Sequence, residues 1–330
     1  MNRIIFLDIA KAICIILVVV GHYIPTNSPL WYKTLHDVIY TFHMPLFMFA
    51  SGYVYIATKR ETEYGSFMLK KVKRLMIPYF TTSFIVISIK ILTQGSMSVE
   101  NPVTPWSYLK MLYFPEAGYF LWFVWALWWM FVIIPFLKTQ KSRFLFFILC
   151  LILHYTPCDL PEIFCIAQCK NMIVFFMLGI FAYENIWTNK FITKFRISQT
   201  VITTFLFIIG EYTYLSSHSP ANNFIGFILP YLGILFCLEI SKLICQYKTI
   251  TSNNLLMVIA TSSYIIYLFH TTFEGFVKAI FSKISLNDTT GYIFVFQATI
   301  VILSGIIFPI LLHKQILNRW RISRLLFGLK

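Results

Sequence analysis

The stretch IIFLDIAKAICIILVVVGHYI, residues 4–24, is apolar throughout except at Asp8, Lys11 and His22. At a rise of about 1.5 Å per residue it makes roughly 30 Å of helix, the thickness of the hydrocarbon core of a bilayer. It ends in Gly21-His22-Tyr23-Ile24-Pro25 and contains no small-x-small cleavage site, so it reads as a retained span rather than a removed signal. The remainder of the chain has the same character: 58% of its 330 residues are apolar, 12% are charged and the mean hydropathy is +0.73. A soluble domain carries roughly 25% charged residues, so half the usual solvating charge is missing. Aromatics at 18%, 34 of them Phe, suit lipid-facing helices and interfacial belts. The chain therefore reads as all-α, a single polytopic membrane bundle over residues 1–330.

A net charge of +14 raises nucleic acid as a partner. The basic residues, however, form neither a face nor a tail; they recur in short clusters between apolar runs, as membrane orientation requires. Ten runs suit spans: 4–24, 36–57, 75–93, 118–137, 144–157, 169–183, 199–216, 224–241, 255–275 and 291–312. The fifth and sixth are short, and Pro157 and Pro161 lie between them. Arg3 and Lys11 open the chain. Lys59, Arg60, Lys70, Lys71, Lys73 and Arg74 follow the second run, and Lys138, Lys141 and Arg143 the fourth. Lys190, Lys194 and Arg196 follow the sixth, Lys242 and Lys248 the eighth, and Lys314, Arg319, Arg321, Arg324 and Lys330 close the chain. All of these fall on one side, which the positive-inside rule makes cytoplasmic. Only Lys33, Lys90, Lys110, Lys170, Lys278 and Lys283 fall elsewhere. Both termini are thus expected in the cytoplasm, with residues 313–330 as a basic amphipathic helix on the inner leaflet or a solvated tail.

Ionisable groups inside spans are costly and are functional hypotheses by default. In the first run Asp8, Lys11 and His22 share one helical face, with about 21 Å between Asp8 and His22 along the axis. In the second, His36, Tyr40, His43 and Phe47 share a face, and Pro45 beside His43 predicts a kink. Ser263, Tyr267, His270 and Glu274 do the same in the ninth. A single histidine on such a face is usually a packed polar residue; three spans with inward histidine stripes point to a shared polar cavity. No metal motif is present: HExxH, paired carboxylate motifs and CxxC are all missing, as are glycine-rich phosphate loops. The seven cysteines are scattered, and Cys158, Cys165 and Cys169 cluster about one loop, where a disulfide would need an oxidising side.

Five blocks, in order, resemble membrane acyltransferase family 3. They are Leu7-Asp8-Ile9-Ala10-Lys11 with Val18-Val19-Val20-Gly21-His22; Phe42-His43-Met44-Pro45-Leu46-Phe47 with Ser51-Gly52-Tyr53; Lys71-Val72-Lys73-Arg74-Leu75-Met76-Ile77-Pro78-Tyr79; Leu121-Trp122-Phe123; and Ser262-Ser263-Tyr264-Ile265-Ile266-Tyr267-Leu268-Phe269-His270. The resemblance implies transfer of an acyl group, usually acetyl from acetyl-CoA, to a sugar hydroxyl of a surface polysaccharide or lipid-linked glycan. It implies a multi-pass protein of the bacterial inner membrane, surrounded by membrane lipid, and here the membrane-only form, since too little chain follows residue 312 for an added esterase-like domain. By the same resemblance His22 is the essential histidine of the first span, and Arg74 the second arginine of a paired basic motif. Lys71 stands where the family often has the first arginine, and a lysine cannot make the bidentate fork.

The residues themselves fit that chemistry. Acyl-CoA is a cytoplasmic polyanion, and Lys70, Lys71, Lys73 and Arg74 offer it a positive mouth. A hydroxyl is a poor nucleophile at neutral pH, and a neutral histidine suits the removal of its proton. His22, His270 and Glu274 are therefore the expected catalytic residues, and Asp8, Lys11, His43, Ser51, Trp122 and Tyr267 the expected lining. A proton-coupled secondary transporter or flippase is the competing class, because intramembrane His, Glu and Lys suit it too; paired repeat halves with matching broken helices are not evident. The charge pattern makes one direct prediction: a reporter fused at Lys330 reads cytoplasmic, and an outer reading overturns the topology.

Overall fold

The computed structural model describes residues 4–26, 28–96, 99, 101–216, 221–247, 254–284 and 291–329, with the side chains of 221–223 left out. Arg3, Lys248 and Lys330, part of the orientation argument, lie outside the described residues. In chain order the helices are α1 Ile5–His22, α2 Leu30–Ala57, α3 Tyr64–Lys71, α4 Ile77–Thr93, α5 Ser107–Lys110, α6 Trp122–Ile133, α7 Gln140–Tyr155, α8 Ile166–Glu184, α9 Ile186–Thr193, α10 Ile197–Ser216, α11 Ala221–Tyr247, α12 Leu255–Lys283, α13 Gly291–Leu311 and α14 Arg321–Leu326. Two π-helical segments interrupt them: Val72–Met76 joins α3 to α4, and Leu312–Leu317 ends α13. Among the described residues there is no strand.

Among the described residues seven helices are long and apolar enough to cross a membrane, eight if α9 and α10, bent by 90° at their junction, count as one. The two expected spans missing from the seven and from that pair are present as helices. α7 has only 16 residues and starts on Gln140-Lys141-Ser142-Arg143. α2 is 28 residues long, but His36, Asp37, His43 and its tyrosines dilute its apolar character. A helix enclosed by others need not satisfy lipid, and α2 is so enclosed, packing against α1, α8 and α11. The chain turns between α7 and α8 beyond Pro157 and Pro161, where Phe164 and Cys165 adopt positive φ of 56° and 55°. That turn is held by Phe164 N–H donating to Tyr113 O at 2.7 Å and Trp129 Nε1–H donating to Phe164 O at 3.0 Å. Cys158, Cys165 and Cys169 are free thiols, as are the other four cysteines.

α1 stands in the middle, against α2, α11, α12 and α13. Its Leu7, Ala10, Cys14, Ile15 and Val19 are wholly buried. Two largely buried acidic side chains on the surrounding helices are paired with cations, as a low-dielectric interior favours. Arg143 of α7 holds Glu184 of α8 and donates to the Leu137 and Lys138 carbonyls at 2.8 Å. Glu239 of α11 takes hydrogen bonds from Lys242 at 2.5 Å and, across to α10, from Gln199 at 2.5 Å and Thr200 at 3.2 Å.

The tightest crossing is between α2 and α8, and two glycines make it. A Cβ on Gly52 would lie 1.9 Å from the Phe176 carbonyl oxygen, and one on Gly179 would lie 2.1 Å from that of Phe49. Lipid tails are as apolar as leucine, so helices in a bilayer associate through close van der Waals approach, which small residues permit. Gly52→Ala and Gly179→Ala should each destabilise the folded protein by about 1–3 kcal/mol through overpacking, read as earlier thermal unfolding in detergent. Gly65→Ala, at a site where a Cβ meets nothing within 4 Å, should not. Unfolding of Gly52→Ala at the wild-type temperature would contradict this crossing.

Candidate active site

His22 is the last residue of α1 and is half-buried. Its Nδ1 lies 2.8 Å from the Val18 carbonyl, one turn back. His43 repeats the arrangement on α2 with Ile39 O at 2.7 Å, and His270 on α12 with Ile266 O at 3.0 Å and Tyr267 O at 2.9 Å. A carbonyl only accepts, so in each case Nδ1 carries the proton and donates. A neutral imidazole has one donor and one acceptor nitrogen, so Nε2 of all three presents a lone pair. The Nε2 of His270 is buried and has no hydrogen-bond partner among the described residues.

The bundle brings two of these rings together. His22 and His270 lie 4.8 Å apart, centroid to centroid, edge to face at 86°. Phe120 closes over both, 6.0 Å from His22 and 5.2 Å from His270. Tyr267 fixes Phe120 by donating its hydroxyl to the Phe120 carbonyl at 2.7 Å. On the other side Tyr40 lies 6.3 Å from His22, 4.7 Å from His43 and 4.1 Å from His36. His43 thus reaches the pair through the Tyr40 ring. Glu274, one turn beyond His270, is 1% exposed and packs where α13 supplies Gly305: a Cβ there would lie 2.8 Å from Glu274 Oε1 and 2.9 Å from Val19 of α1. Tyr23, Tyr32 and Phe294 pack over this end, and Tyr32 donates to Val20 O at 2.8 Å.

Several expected lining residues lie elsewhere. Asp8 and Lys11 pair with each other at 4.0 Å at the start of α1. On the face they share with His22, the intervening Ile15 and Val18 are 0% and 2% exposed. The stripe is therefore two polar ends parted by a packed apolar stretch, not one cavity. Ser51 is half-buried at the Gly52 crossing, about 12 Å along α2 from His43. Trp122 packs on Phe123 at 6.1 Å, and Phe123 in turn lies 5.7 Å from Tyr267. It is Phe120, two residues earlier, that faces the histidines.

The basic cluster spans the end of α3, with Lys70 and Lys71, and the first π-helical segment, with Lys73 and Arg74, a backbone form frequent at functional sites. Lys70, Lys73 and Arg74 are exposed there. Lys71 is not: its ammonium lies over the Phe131 ring at 3.4 Å and 5.2 Å from Phe67, a cation–π arrangement. An aromatic column links this end to the histidines. Tyr264 donates to the Leu75 carbonyl at 3.4 Å, its ring stacks at 6.4 Å on Tyr267, and Tyr267 meets Phe120 at 5.7 Å. The second π-helical segment adds His313, 8% exposed and bonded to Ser262 at 2.9 Å. Neither Phe120 nor His313 stood out in the sequence, the first being one aromatic among many and the second lying among tail cations. Among the described residues no group of three or more His, Cys, Asp or Glu is placed to hold a metal ion.

Against known proteins, the family model described as the acyltransferase domain matches residues 4–314. A segment of 82 residues is 38% identical to nodulation protein NolL of Sinorhizobium fredii, covering 23% of this chain and 22% of that protein. The match thus spans less than a quarter of NolL, and no solved structure matches the chain. A match from residue 4 to residue 314 takes in nearly the whole bundle and every helix that builds the histidine pair, so the chain belongs to the membrane acyltransferase family 3 that its sequence blocks resemble.

Proposed function

We propose that this protein is a membrane-bound O-acyltransferase of the bacterial inner membrane, moving an acyl group, acetyl in the first instance, from cytoplasmic acyl-CoA to a sugar hydroxyl of a surface polysaccharide or lipid-linked glycan. The observation that carries the reading is the His22–His270 pair, in which each Nδ1 is bonded to its own helix and the buried Nε2 of His270 has no hydrogen-bond partner among the described residues. In this reading the acceptor hydroxyl attacks the thioester carbonyl while Nε2 of His22 takes its proton. The tetrahedral adduct collapses, the carbon–sulfur bond breaks, and the proton passes from His22 to the leaving thiolate. His270 offers a second lone pair to share that proton while it resides on the imidazoles. Glu274, packed beside Val19 one turn before His22, would oppose the positive charge that develops there.

The donor fits the opposite, basic end. Arg74 and its neighbouring lysines would hold the phosphates, and the Tyr264–Tyr267–Phe120 column marks the way from there to the histidines. Both termini lie in the cytoplasm in this arrangement, and the outer end of the bundle receives the acceptor.

Replacement of His22 separates this reading from a packing role. Glutamine still donates and accepts hydrogen bonds but takes up no proton near neutral pH. His22→Gln should insert, fold and bind acetyl-CoA, yet lose glycan O-acetylation in cells by about 10²–10⁴-fold, the usual contribution of a general base. Retention of most activity would refute the mechanism. Arg74→Ala should weaken acetyl-CoA binding to purified protein by roughly tenfold to a hundredfold, the worth of a charge-assisted hydrogen bond of about 1.5–3 kcal/mol; unchanged affinity would remove the donor site from this end.

A further inference from the structure

The last residues of the chain do not lie apart from the bundle. Within 313–329, a stretch expected as a basic amphipathic helix or a solvated tail, the structure has the π-helical end of α13 and then the short α14, which packs on α4. Ser323 donates to the Leu317 carbonyl at 2.7 Å and so fixes the start of α14. Phe327 is 5% exposed and rests on Phe269 of α12, ring to ring at 5.6 Å. Gly328 has a φ of +64°, and a Cβ there would lie 3.0 Å from Arg74 Cα, Arg74 O and Pro78 Cγ. Glycine is thus required twice, by its left-handed backbone and by contact with the very residue expected to hold the donor.

This docking sets α14, which carries further cations, against α4, while Gly328 just beyond it meets Arg74. Arg321 and Arg324 line a hollow of about 400 Å³ together with Ile322, Leu325 and Leu329. Among the described residues neither pairs with a carboxylate, and nor do Lys70, Lys73 or Arg74. The Nε of Arg324 is buried without a hydrogen-bond partner. Arg324 as a whole is half-buried and Arg321 exposed, so it is this one buried N–H of Arg324 that is retained at a cost unless an acceptor completes it. Lys71, meanwhile, has its ammonium on Phe131, which leaves Arg74 as the sole guanidinium of the paired basic motif, against a donor with a diphosphate and a 3′-phosphate.

We propose that the C-terminal segment 321–329 is a wall of the donor site, in which Arg321 and Arg324 join Arg74 in binding the phosphates of the nucleotide end of acyl-CoA. The tail arginines supply the forked phosphate recognition that Lys71 cannot. The inference rests on the donor reading given above, and the test keeps the two apart.

Full-length protein in nanodiscs of phosphatidylcholine is titrated with coenzyme A and with its 3′-dephospho form. The variants are Arg321→Ala/Arg324→Ala, Arg321→Lys/Arg324→Lys and Arg74→Ala. The alanine pair should lose coenzyme A affinity by roughly tenfold to a hundredfold, and the lysine pair, which keeps charge and bulk should the alanine pair not fold, by a smaller factor. Full affinity in the lysine pair and in any folded alanine pair, with Arg74→Ala impaired, overturns the tail assignment and leaves the donor site standing; full affinity in Arg74→Ala overturns both. The same alanine pair is then melted in discs with and without phosphatidylglycerol. If it loses only the stabilisation by anionic lipid and keeps coenzyme A affinity, the arginines hold lipid phosphate and the proposal fails.

Discussion

In each of three helices a histidine donates its Nδ1–H to a carbonyl of its own helix one turn back: His22 to Val18, His43 to Ile39 and His270 to Ile266 and Tyr267. The bond answers the demand that a polar group inside a membrane bundle be satisfied locally, and it settles the tautomer at the same time. The proton is tied up on the side facing the helix, and the lone pair faces across the bundle. Everything proposed for the site follows from that. The pairing of His22 with His270 brings two such lone pairs together, the Phe120–Tyr267 contact closes them off, and the crowding of Tyr40 against His22 and His43 brings a third within electrostatic reach.

The geometry holds because the helices cannot slide. α2, which carries His43 and Tyr40, is locked to α8 at Gly52 and Gly179, and to α11 where Gly233 leaves room for Phe42. Gly305 does the same for Glu274 at the contact of α12 with α13. Small residues at helix contacts therefore set distances at a site to which they contribute no chemistry, while the buried Arg143–Glu184 pair fastens α7 to α8 and Glu239 fastens α11 to α10 through Gln199 and Thr200.

Much of this was legible in the sequence, and the failures have identifiable causes. A run such as residues 4–24 announces a span because lipid requires continuous apolarity, and α1 occupies Ile5–His22. α2 begins at Leu30 rather than at residue 36, because its first turns are polar while hydropathy reads only the apolar part. α3 and the first π-helical segment were invisible for the same reason, their lysines reading as loop. Helical angles put Asp8, Lys11 and His22 on one face, but a face is not a cavity: Ile15 and Val18 fill the space between. Phe120 was hidden by abundance, since one aromatic among 34 Phe carries no mark of its place. The docking of the tail rests on a positive φ at Gly328 and on one buried ring at Phe327, signals too small to separate from a basic tail.

The central claim is that His22 and His270 handle one proton as a unit. A double-mutant cycle on acyl transfer, with His22→Gln, His270→Gln and the pair together at saturating acetyl-CoA, measures this directly. Residues that act as a unit are grossly non-additive, so the double variant should be no slower than His22→Gln alone. If the two losses multiply instead, the rings act independently, and the shared-proton account of the pair is wrong.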